Sequence, residues 1–267
     1  MGRTIQQTFE DLRSHNRIGL IPFIPAGYPD LQTTAAVLAA CDAAGASVIE
    51  VGIPFSDPIA DGPTIQEAFT AALAKKIKVA DVLACIKGMR GKLNAPLVAM
   101  LSYSIVYRYG TERFLADAKA AGIAGLILPD LPPPQAQAVC KQIQAAGLET
   151  TLLIAPTTTP ERRREIVKLC SGFVYYLSVS GITGERDGLP FGLGEIVAQI
   201  KTMTALPVCV GFGLHRPQQI QELAKVADGA IVGSAIVRRM KEHAADGPAG
   251  IARAVGEYLR QLIRADD

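Results

Sequence analysis

Apolar positions in this chain form short continuous runs separated by longer stretches of helical periodicity. Eight runs recur: "IGLIPFI" (18–24), "SVIEVG" (47–52), "PLVAML" (96–101), "GLILP" (125–129), "TTLLIA" (150–155), "FVYYLSV" (173–179), "PVCVGF" (207–212) and "GAIVG" (229–233). Each has the length and β-branched content of a buried strand. Helix starts lie between them at Pro29-Asp30, Thr159-Pro160 and Arg216-Pro217, and helix stops at Ala44-Gly45, Ala121-Gly122, Ala146-Gly147 and Ala227-Asp228. Apolar strands alternating with helices call for a parallel sheet covered on its faces. Eight such units predict an α/β fold closed into a (β/α)8 TIM barrel. An open doubly wound sheet is the alternative, but no strand leads into a G-x-G-x-x-G helix start. Extra helices are expected at 3–14 and 78–90, with a final helix pair over 234–264. No linker breaks the alternation, so residues 1–267 read as a single TIM-barrel domain.

Composition narrows the function classes. The chain has 267 residues, 49% hydrophobic and 19% charged, which suits a globular protein with a large core. Its 27 basic and 25 acidic residues are dispersed and leave a net charge of +2, so nucleic acid is not an expected partner. The run Arg162-Arg163-Arg164 reads as the solvated face of a helix. Five cysteines, widely spaced and never in a C-x-x-C pair, suit a reducing cytoplasm better than a disulfide framework or a zinc site. The amino-terminal segment lacks an apolar signal core and no stretch is long enough to span a membrane, so a cytoplasmic location is expected. His15, His215 and His243 show no metal-ligand spacing.

A barrel places its chemistry on the loops that follow the strands. After the seventh and eighth runs, Gly211, Gly213, Gly233 and Ser234 offer backbone amides and a hydroxyl suited to an anion such as phosphate. Gly184 in the glycine-rich sixth loop could add another amide. Taken singly, these residues are also ordinary turn and cap chemistry. Strand alternation sends Val48, Glu50 and Gly52 to one face and Ile49 and Val51 to the other. Glu50 then points into the barrel near its mouth, either as a structural carboxyl satisfied by its neighbours or as a general acid kept protonated by desolvation. Asp61 follows on a loop just before a helix, where an acid also simply stabilises the helix start. Two carboxyl groups in such different surroundings can divide acid and base roles.

The segment "EVGIPFSDPIADGP" (50–63) resembles the signature of the tryptophan synthase alpha chain family. The resemblance continues in order through "IPFIPAGYPD" (21–30), "GLILPDLP" (125–132), "LLIAPTTTPER" (152–162), "YYLSVSGITG" (175–184), "PVCVGFG" (207–213) and "DGAIVGSAIV" (228–237). It covers the chain from about Phe9 to Leu259. It implies a carbon–carbon lyase that splits indole-3-glycerol phosphate into indole and glyceraldehyde 3-phosphate by a retro-aldol reaction. Glu50 would then protonate the indole ring at C3 and assist deprotonation of the glycerol hydroxyl. Asp61 would hold the indole N–H and stabilise the developing positive charge.

The same resemblance assigns phosphate binding to Gly184, Gly213, Gly233 and Ser234, and the indole pocket to Phe23, Ile65, Leu101, Ile127, Tyr175, Phe212 and Ile231. Thr183 would hydrogen-bond Asp61 when the loops close. Glu185 stands where many family members carry a small residue, so an acid is expected near the phosphate site. The implied partner is a tryptophan synthase beta chain in an αββα complex, with residues Pro54 to Pro58 and Ser102 to Tyr109 facing it. Pyridoxal phosphate would belong to that beta chain, and this chain would need no cofactor or metal of its own. A stand-alone lyase releasing free indole, a phosphate-binding barrel isomerase and a non-catalytic activator of a beta chain are the competing readings.

Overall fold

A computed structural model describes residues 3–57, 62–178, 189–211 and 213–264. The strands are β1 (Gly19–Pro25), β2 (Ile49–Gly52), β3 (Leu97–Met100), β4 (Ile123–Ile127), β5 (Glu149–Thr151), β6 (Leu153–Ile154), β7 (Val174–Leu177), β8 (Val208–Gly211) and β9 (Gly229–Val232). Every pairing is parallel, in the order β5-β4-β3-β2-β1-β9-β8-β7-β6. Only Leu152 separates β5 from β6, so the two ends of this order are one stretch of chain that turns from β4 to β7 and closes the ring. The eight predicted runs thus form a (β/α)8 barrel whose fifth strand is divided in two.

Helices follow the strands: α1 (Ile5–Ser14), α2 (Leu31–Ala44), α3 (Pro63–Ala74), α4 (Val79–Gly88), α5 (Tyr103–Tyr109) and α6 (Thr111–Ala121) in the first half. The second half adds α7 (Pro133–Ala145), α8 (Pro160–Leu169), α9 (Leu193–Lys201), α10 (Pro217–Ala224), α11 (Ser234–Glu242) and α12 (Gly247–Ile263). None among the described residues is long and apolar enough to cross a membrane. Local chemistry explains their limits. Asp30 caps α2 by accepting from the Thr33 amide at 2.7 Å, and Gly45 ends it in the left-handed region at φ 98°. Gly122 closes α6 in the same way. α10 stops at Ala224, three residues before the expected Ala227-Asp228 signal, and a turn covers the interval. The seven-residue α5 has no counterpart in the apolar pattern.

Alternation along the strands separates two cores. Ile49 and Val51 face outward into the layer shared with the helices, whereas Val48 joins Ile21, Val98, Tyr175, Cys209 and Ile231 inside the barrel. Ile5 and Phe9 of α1 belong to the interior group, with the Phe9 ring 6.3 Å from that of Phe173, so α1 stops the amino-terminal end of the barrel. α12 packs along α2 and joins the last unit to the first, Gly256 lying against Ala40. Four cysteines are buried: Cys41, Cys140 and Cys170 in the outer layer and Cys209 in the interior; Cys85 is half-buried. The basic run of α8 departs from expectation. Arg162 and Arg164 do face Glu165 and Glu161 at the surface, but Arg163 is 7% exposed and donates to Gln199 Oε1 at 3.4 Å. The helix turns about 100° per residue, which carries the middle arginine inward.

Candidate active site

Glu50 is the second residue of β2, paired in register with Phe23 of β1 and Val98 of β3. Glu50 is 1% exposed and lies in a cavity at the barrel mouth. Phe23, Ile65, Tyr175, Ile231, Gly211, Gly213, Gly233 and Ser234 line the same cavity, so nine of the expected residues converge there, counting Glu50. Apolar side chains around a carboxyl deprive it of hydration and favour its protonated form.

Each wall has a local cause. Phe23 lies edge-on to Phe69 of α3, with ring centroids 6.2 Å apart, and α3 brings Ile65 from its first turn to the same side. Gly52 makes room for that arrangement, since a Cβ there would overlap the Phe23 ring; Gly211 does the same for Tyr175. Beside Phe23 and Ile65, Gly233 precedes α11 and Ser234 is its first residue, 9% exposed. A helix start of this kind presents unpaired amides toward an anion. Gly213 is held from outside: its carbonyl meets His215 Nδ1 at 2.9 Å, and Tyr258 of α12 donates to the His215 carbonyl at 2.8 Å. The Gln219 side chain receives the His215 and Arg216 amides, both at 2.9 Å.

Two expected pocket residues fall elsewhere. Leu101 packs in the outer layer; Met100, one residue earlier and on the same side as Val98, takes the cavity position. Ile127 belongs to the interior core without lining the cavity. Asp61, Thr183, Gly184, Glu185 and Phe212 lie outside the described residues. Pro129, Leu153, Leu177 and Leu214 line the cavity and were not expected. Strand parity carries the signal for Leu177, two residues after Tyr175. Among the described residues no group of three or more His, Cys, Asp or Glu could hold a metal ion. Cys209 is no nucleophile: burial first, then the charge of Asp228, pushes its thiol well above the ordinary range against the opposing charge of Lys201.

A desolvated carboxyl, an aromatic and aliphatic pocket and an anion-ready helix start within one cavity suit proton transfer to a flat apolar substrate bearing a phosphate. The comparisons with known proteins agree. Residues 9–263 match the tryptophan synthase alpha chain family. The chain is 42% identical to the tryptophan synthase alpha chain of Microcystis aeruginosa, covering 98% of both. It is 43% identical to that of Prochlorococcus marinus, covering 98% of this chain and 94% of the relative. Among solved structures, a Mycobacterium tuberculosis tryptophan synthase aligns at TM-score 0.88 and 36% identity, covering 98% and 99% of the two chains. A mutant tryptophan synthase alpha-subunit from Pyrococcus furiosus aligns at TM-score 0.85 and 36% identity, covering 92% and 98%. This chain belongs to the tryptophan synthase alpha chain family.

Proposed function

We propose that Glu50 and Asp61 carry the reaction of this alpha chain, the retro-aldol cleavage of indole-3-glycerol phosphate to indole and glyceraldehyde 3-phosphate. In this reading Glu50 delivers a proton to indole C3. Asp61 holds the indole N–H and offsets the positive charge that protonation places on the ring. The Glu50 carboxylate left by that step takes up the glycerol hydroxyl proton as the aldehyde forms, the bond from C3 to the side chain breaks, and its electron pair restores the indole. The phosphate sits against Gly184, Gly213, Gly233 and Ser234, and the ring among Phe23, Ile65, Tyr175, Phe212 and Ile231. Thr183 steadies Asp61. These steps need only proton transfers and electrostatic stabilisation, so the reading assigns no cofactor to this chain.

The observation that carries the reading is Glu50, nearly inaccessible yet lining a cavity that the start of α11 also lines. Asp61 precedes Ile65 of the cavity wall by four residues, a span of at most about 14 Å. The reading extends to a beta-chain partner in an αββα complex that holds the pyridoxal phosphate, in the cytoplasm, with residues 1–267 as one domain. A cleft lined by Ile53, Pro54, Phe55 and Ser56 on one side and Ser104, Ile105, Arg108 and Tyr109 on the other supports a partner face there. Tyr107 beside it is 71% exposed.

The test is indole release from indole-3-glycerol phosphate by the purified chain, alone and with a tryptophan synthase beta chain. Slow release that rises strongly with the beta chain supports the reading. Fast release indifferent to the partner assigns a stand-alone lyase, and no release under either condition overturns it.

A further inference from the structure

The cavity around Glu50 and the cleft beside α5 are separate, yet the chain ends that border both are tied together by one side chain. β3 delivers Met100 to the cavity and, two residues on, Ser102 to the start of α5; after β4, Pro129 lines the cavity and Asp130 follows it. Asp130 Oδ2 accepts from Ser102 Oγ at 2.5 Å and Oδ1 accepts from the Tyr103 amide at 2.8 Å. Ser102 in turn accepts from the Ser104 amide at 3.1 Å, with its hydroxyl 2.7 Å from that of Ser104.

Bonds to an ionised acceptor are the stronger kind, and α5 has reason to depend on them. At seven residues it is too short to hold itself as a helix, and its sequence "YSIVYRY" is rich in β-formers. Asp130 therefore fixes where α5 starts, and α5 carries Ser104, Ile105, Arg108 and Tyr109 to one wall of the cleft. The other wall, Ile53 to Ser56, continues directly from the strand bearing Glu50.

We infer that Asp130 is a positioning residue that clasps α5 to the cavity wall, so that the partner-facing cleft and the reaction cavity are held in register. The inference rests on the beta-chain reading given above. Removing the clasp lets α5 shift or fray and leaves the cavity residues in place. The loss falls on partner binding and on activation by the partner, not on cleavage by the isolated chain.

The experiment uses the full chain with a purified tryptophan synthase beta chain. Affinity is measured by calorimetry, and kcat and KM for indole release are measured with and without the partner. Asp130→Asn and Ser102→Ala should each weaken partner affinity about 10-fold. Both should reduce activation while leaving the isolated chain's kcat and KM within about twofold of wild type, a change equivalent to a few tenths of a kcal/mol. The double variant should lose no more than either single one, because both break the same clasp. Ser102→Thr, which keeps the hydroxyl, should bind as wild type does. Unchanged affinity and activation in Asp130→Asn overturn the inference. So does a loss in Asp130→Asn without one in Ser102→Ala, which would make the exposed carboxylate a direct partner contact. Should Asp130→Asn fail to fold, the Ser102→Ala and Ser102→Thr pair decides alone. A wild-type chain that the beta chain neither binds nor activates fails the partner reading itself, and that arm separates the two failures.

Discussion

At Glu50 one proton separates two chemistries, and Glu50→Gln removes it while keeping the side chain's shape. We expect kcat for indole release to fall by about 10²- to 10⁴-fold with little change in KM, measured in the steady state. A second substitution tests the aromatic wall: Gly52→Ala must push the Phe23 ring toward the cavity, raising KM and costing about 1–3 kcal/mol of stability in denaturant unfolding. Glu149 is a half-buried carboxyl with no part in the site. Burial raises it from 4.5 to about 7 against the opposing charge of Lys119, and its Oε2 has no hydrogen-bond partner among the described residues. The folded state thus binds the proton more tightly than the unfolded chain. Stability from this group is complete below about pH 4.5 and is lost as pH rises through about 7. Glu149→Gln should therefore raise Tm at pH 8 but not at pH 4. The gain is on the order of 1 kcal/mol once solvent screening of this partly exposed group is allowed for. Residue identities were unevenly legible. Strand parity places Glu50 inward from sequence alone; the same parity, applied from Val98, selects Met100 over Leu101.

Elements that depend on local signals were readable, and those that depend on distant ones were not. α2 is bounded by its own Asp30 and Gly45, so its limits stand in the sequence. α5 is held by Ser102 and by Asp130, 28 residues away, against its own β-forming composition. The division of the fifth strand at Leu152 was equally invisible, since "TTLLIA" is unbroken as an apolar run and only the change of neighbours splits it. The loop carrying Gly213 has the same non-local support, from Tyr258 of α12 through the His215 carbonyl. Tyr258→Phe removes that donor. A roughly 3- to 10-fold rise in KM is expected with kcat nearly unchanged, the loss corresponding to about one hydrogen bond, and inorganic phosphate should compete correspondingly less well.

For the molecule as a whole, the barrel was legible because a short apolar strand followed by a helix recurs along the chain, so a shifted boundary at one strand does not alter the architecture. The stopper at its base illustrates the separation of stability from chemistry. Phe9→Ala should cost about 3–5 kcal/mol in unfolding by denaturant, yet leave kcat/KM of the folded chain unaltered, because Phe9 lies at the end of the barrel opposite the cavity. The cysteines extend this contrast. Burial drives Cys41 and Cys170 up to about 12 and Cys140 to about 11, so near neutral pH hardly any thiolate is present to react. Alkylation of the native chain should begin at the half-buried Cys85 and reach the others only when the molecule opens. Three of those thiols lie beneath the helices and Cys209 lies within the strands. The order in which they acquire label under mild denaturant would therefore time the loosening of the helical shell against the parting of the barrel.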